Sequence, residues 1–221
     1  MPSSVGRSTY VPKRLRRWPL LIAVVVCSLV LWRPVLAGVQ AFMAVSDPLK
    51  ASDFILPLYG NADAISEAAA DLYARQLAPR LLLHRVESSR LEEVGLVSPT
   101  HVSWRRLLEA RGVHGDAIET PGAVIRDHVE LGRWLGRLAI ESGPICLIVV
   151  TSAPRSRLSR NALSEGLLQA ATDAGMEAPP VELLLYPVAP RGVERSAWWR
   201  SRLGWIAYFD AYCLWLIQFL R

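Results

Sequence analysis

The stretch Trp18–Trp32 (WPLLIAVVVCSLVLW) carries no charge, and after Arg33-Pro34 the apolar character resumes and runs to Val45. A helix rises about 1.5 Å per residue and must cross about 30 Å of hydrocarbon, so roughly 20 such residues are needed. Trp18–Ala37 meets that length when Arg33 snorkels to the headgroups at the far end. The pattern predicts a transmembrane signal anchor over 18–41 and a short linker over 42–50. A cleaved signal peptide with its small-residue site at Val35-Leu36-Ala37 also fits. Both readings carry the rest of the chain across the membrane.

Beyond residue 51 short apolar runs alternate with helical spacings. Strands are predicted at 52–60, 78–86, 116–119, 144–152 and 181–188. Helices are predicted at 61–77, 103–113, 124–142 and 156–175, with a last one inside 196–221. PICLIVVTS (144–152) is apolar on both faces, as a central strand covered by helices on each side must be. The fold class expected is α/β: a Rossmann-like, open, mostly parallel sheet with helices on both faces, preceded by one N-terminal transmembrane helix.

Charge adds an orientation. The chain has 25 Lys+Arg against 20 Asp+Glu, and Arg7, Lys13, Arg14, Arg16 and Arg17 all precede residue 18 without an acid among them. This basic tail, residues 1–17, keeps the N-terminus cytoplasmic by the positive-inside rule. The expected location is the inner (cytoplasmic) membrane, single-pass, with the 51–221 domain outside the cytoplasm. The remainder is neutral, so the basic balance points to no nucleic acid. Cys27, Cys146 and Cys213 form no CxxC or Cys/His cluster, and His84, His101, His114 and His128 read as scattered surface residues, so no metal site is expected. GxGxxG is absent, and nothing calls for a cofactor.

In an open parallel sheet, ligands bind at the carboxyl ends of strands, where helix N-termini present free N–H groups. Gly60-Asn61, Glu119–Gly122 and Thr151–Arg157 fall at such ends. Thr151 and Ser152 offer hydroxyls, and Arg155 and Arg157 stand at a helix start, where a cation is locally unfavourable and an anion would explain it. The ligand-binding candidates are thus Gly60, Asn61, Thr151, Ser152, Arg155 and Arg157. Glu119 and Asp127 are candidate acid/base carboxylates. A helix cap with solvated arginines, a turn glycine and ordinary helix-start acids account for the same residues structurally.

Several runs resemble the YdcF/SanA/ElyC-like envelope proteins, a family of largely unknown function. They are VVTSAPRSR (149–157), WWRSRLGWIAYFDAYCLWL (198–216), Gly60 with DLYARQLAPRLLL (71–83), and GVHGDAIETPGAVIRDH (112–128). The chain departs from the family's pattern where Gly122, Val124 and Ile125 replace its Ser, Asn and Thr, Arg155 its His, Asp210 its Glu and Cys213 its Lys. The resemblance implies a domain in cell-envelope or surface-polysaccharide biogenesis, held to the membrane by 18–41. Its partner would be an anionic small molecule or lipid-linked glycan, and the lost polar positions favour binding without catalysis. The alternative is a hydrolase or transferase of a phosphorylated glycan or lipid-linked precursor. Residues 204–220 are expected to form a helix packed on the domain or lying at the membrane surface, not a second span, because Asp210 at a bilayer midplane would cost about 2.5–3.5 kcal/mol, whereas on the domain it can meet an arginine or a backbone N–H.

Overall fold

A computed structural model describes residues 18–219, without the side chains at 18–21, 25, 27–29, 195, 196 and 219; the basic tail, residues 1–17, lies outside the described residues. The chain divides into two compact units, 1–39 and 40–221. In order it forms α1 (Trp18–Met43), β1 (Phe54–Pro57), α2 (Ala62–Ala74), β2 (Arg80–Leu82), β3 (Arg85–Val86), α3 (Arg90–Glu93) and α4 (Thr100–Glu109). There follow β4 (Ile118–Glu119), β5 (Val124–Ile125), α5 (His128–Ser142), β6 (Ile145–Ser152), α6 (Ser156–Asp173), β7 (Val181–Val188) and α7 (Arg202–Phe219). Among the described residues, no helix is long and apolar enough to cross a membrane.

The second unit is α/β, built on a five-stranded, all-parallel sheet of order β4-β2-β1-β6-β7. Successive strand side chains point to opposite faces, so an all-apolar strand must be covered twice. Ile55, Ile148 and Val150 pack on one face against Ile65 and Leu72 of α2 and Trp104 and Leu108 of α4. Phe54, Leu56, Leu147 and Val149 pack on the other against Leu131 and Leu135 of α5 and Leu163 and Leu167 of α6. This is the Rossmann-like architecture the alternation predicts.

α5 and α6 approach closely because glycine meets backbone at their crossing. A Cβ on Gly166 would lie 1.9 Å from the Val129 carbonyl oxygen, and one on Gly132 2.2 Å from that of Leu163. Nothing larger than hydrogen fits at either position.

Three expected elements differ. The run 78–86 is two strands in two sheets, since β3 leaves the main sheet and pairs in parallel with β5. The helix expected from Val124 starts at His128: the Asp127 carboxylate caps it by accepting the Glu130 N–H at 2.8 Å, while Val124 and Ile125 form β5. Residues 42–50 are not a free linker. Met43 is fully buried, and the Asp47 carboxylate accepts the Leu185 N–H at 2.9 Å and pairs with Arg160. Burial alone would raise the Asp47 pKa, but these partners hold it below the usual carboxylate value.

The terminal helix α7 packs on the domain through Tyr208 and Ala211, both buried, and Tyr208 stacks on the buried Trp198 with ring centroids 4.6 Å apart. Gly204 permits this approach, since a Cβ there would lie 2.1 Å from the Trp198 carbonyl oxygen. Asp210 meets Arg155 at 2.7 Å, the arginine that its position on an otherwise apolar helix demanded.

Candidate functional site

β1 and β6 are neighbours, yet the chain leaves them in opposite directions. From β1 it passes through α2 to β2 on one side, and from β6 through α6 to β7 on the other. The loops at the carboxyl ends of such a pair part and leave a crevice, the topological switch point of an open sheet. A cavity of about 420 Å³ occupies that place. Gly60 and Asn61 enter it from the end of β1, Thr151, Ser152 and Arg155 from the end of β6, and Leu203, Ile206 and Asp210 from α7.

Asn61 caps α2, its side-chain oxygen accepting the Ala64 N–H at 3.4 Å. Gly60 does not need left-handed backbone; a Cβ there would touch Ile65 Cδ1 at 3.4 Å, an ordinary contact. Thr151 is buried, with its hydroxyl 3.4 Å from that of the buried Ser159. Arg155 stands at the end of a short 3-10 turn (Ala153–Arg155) that leads into α6. Its unfavourable place at a helix start has a partner in Asp210, so the structure supplies a carboxylate where the sequence left an anion open. A second cation, Arg191, lines the cavity and lies 3.5 Å from Asp63.

The other candidates go elsewhere. Arg157 donates to the Phe42 carbonyl, and its guanidinium lies 4.0 Å over the Phe42 ring, so it does not reach the crevice. Glu119 is on edge strand β4, where Arg80 holds its carboxylate at 2.7 Å. It lines neither the switch-point cavity nor its neighbour. Asp127 borders the neighbouring cavity, of about 300 Å³, with Tyr59, His84 and His128.

The histidines are the residues that linear reading missed. His84 is only 4% exposed, not a surface residue, because it follows the buried Leu81–Leu83 run directly and stays under the β3–β5 ladder. Its ring stacks on Tyr59 with centroids 4.3 Å apart, and Nδ1 has no hydrogen-bond partner. Burial, reinforced by nearby His128, lowers its pKa to about 4, so it is neutral at physiological pH. His128 lines both cavities; burial lowers its pKa, Asp127 opposes that shift and Arg155 adds to it. Burial also raises the Tyr59 pKa, and its hydroxyl donates to the His84 carbonyl. The signal available in sequence was the position of His84 directly after the apolar run Leu81–Leu83, all of it buried. Among the described residues no cluster of His, Cys, Asp and Glu could hold a metal ion, and Cys146 and Cys213 are free thiols.

Compared with known proteins, the chain matches no family model, and no curated protein or solved structure is similar to it.

Proposed function

We propose that the domain binds an anionic, phosphate-bearing ligand at the switch point between β1 and β6, in cell-envelope or surface-polysaccharide biogenesis, without necessarily turning it over. The observation that carries this is the convergence of Asn61, Thr151, Ser152, Arg155 and Arg191 on one crevice at the carboxyl edge of the sheet. The Asn61 side-chain amide, two hydroxyls and two guanidiniums make a donor set suited to a phosphate monoester or diester. The likeness to the YdcF-like family supports the envelope setting. The uncharged run Trp18–Trp32 behind a basic tail supports a membrane anchor with the domain outside the cytoplasm.

One observation favours a second reading, an envelope hydrolase or transferase. His128 stands beside Asp127 and lines the phosphate crevice, within reach of acid/base work on a bound ester. Glu119 has no part in it.

The test is thermal stabilisation of the full chain by inorganic phosphate and by a polyprenyl phosphate analogue. A ligand at about 100 times its Kd adds about 2.7 kcal/mol, which is roughly 5–11 °C for a domain of this size. Arg155→Gln should abolish the shift with the fold intact, since Arg155 is exposed, its removal opens no cavity, and the amide can still donate to Asp210. A shift of equal size in that variant would refute the assignment.

A further inference from the structure

The neighbouring cavity holds a buried polar group that the phosphate site does not use. It is bounded by Tyr59, His84, Val86, Ile125, Arg126 and Asp127, and shares Tyr59 and His128 with the switch-point crevice. His84 Nδ1 is buried with no hydrogen bond from the protein. Such groups are retained where a ligand or water completes them, because an unmade buried hydrogen bond costs more than a made one returns.

We infer that this cavity is a second subsite, which takes a neutral, hydroxyl-bearing ring joined to the anion: the sugar of a phosphosugar. The inference rests on the phosphate reading of the crevice and names the class of substrate. His84 Nδ1 of a neutral imidazole donates or accepts according to its tautomer, and a hydroxyl can meet either form. Asp127 accepts the Glu130 N–H through Oδ1, leaving Oδ2 for another hydroxyl. Val86 and Ile125 give apolar walls of the kind that carry the C–H face of a sugar. A nucleobase is a poorer fit. It needs an open aromatic face, and Tyr59 already stacks on His84 and lies against Trp104 at 5.1 Å.

The experiment is calorimetric titration of the full chain with inorganic phosphate, glucose 1-phosphate, phenyl phosphate and free glucose. Glucose 1-phosphate should bind at least about tenfold tighter than inorganic phosphate, and phenyl phosphate, with a ring but no hydroxyls, should gain little over phosphate. His84→Phe keeps the ring stack and removes the nitrogens; it should bring glucose 1-phosphate down to the level of phosphate and leave phosphate binding unchanged. Should that variant fail to fold, Val86→Trp fills the cavity from its half-buried wall and should have the same effect. A sugar advantage that survives both substitutions, or an equal gain for phenyl phosphate, overturns the subsite. Phosphate binding without any sugar advantage overturns the subsite alone. Glucose binding that depends on His84, with no response to phosphate, keeps the ring pocket and overturns the anion site; no response to any probe removes both.

Discussion

Replacing Gly166 by alanine tests the helix pair that sets the spacing of the site. The new Cβ would sit 1.9 Å from the Val129 carbonyl oxygen and 2.7 Å from the Arg133 nitrogen. Both neighbours are backbone, so no side-chain rotation relieves the contact. Reaching an ordinary 3.4 Å requires α5 and α6 to part by about 1.5 Å, which loosens Leu131 and Leu135 against Leu163 and Leu167. Overpacking costs about 1–3 kcal/mol and more where backbone must move, while alanine's helix propensity returns about 1 kcal/mol. The net loss is about 2 kcal/mol, a fall in Tm of about 4–8 °C. It should also disturb the proposed site, because the new Cβ presses on Val129, next to His128. Circular dichroism melting of the full chain measures the first effect. Gly122→Ala, where a Cβ meets open space, is the control and should change stability by less than about 0.5 kcal/mol. A Gly166→Ala variant that melts with the wild type would mean the helices do not meet as described.

Two further predictions stand apart from the ligand. His84 titrates near 4 in the folded state against 6.5 unfolded, so between those values the unfolded chain binds more protons; its contribution is complete above pH 6.5 and is lost as pH falls toward 4. The loss is on the order of 3 kcal/mol, and His84→Phe should flatten the fall of Tm over that range; an unchanged slope would show that another group carries it. A reporter enzyme active only outside the cytoplasm should work when fused after Arg221, and activity of a cytoplasm-only reporter there would sink the proposed topology.

The sheet was legible because its strands are apolar on both faces: PICLIVVTS could only be a covered central strand, and it is β6. The packing of the last helix was legible from one misplaced charge, Asp210. What escaped depended on contacts distant in sequence. Gly132 and Gly166 are unremarkable on their own helices, and only the crossing of α5 with α6 makes them obligatory. Arg157 and Arg155 look alike in SAPRSR, yet two residues along a helix start turn one toward Phe42 and the other toward Asp210. Glu119 and Asp127 lie close in sequence, but the strand order sends β4, with Glu119, to the sheet edge, while Asp127 caps α5. His84 was hidden by its own polarity, which suggested surface where the strand dictated interior.

The bridge between Arg155 and Asp210 ties the terminal helix to the turn from which the proposed anion site takes its guanidinium. An anion drawn to the free N–H groups of the Arg155 guanidinium would stand beside the Asp210 carboxylate, and the two negative charges would repel. Occupancy and attachment of α7 are therefore thermodynamically linked with opposite sign, and linkage is reciprocal. On the phosphate reading, a body that draws α7 away by its exposed Phe209, which does not line the crevice, would loosen the bridge and raise the affinity for the anion. On that reading α7 is an internal ligand for the site it borders.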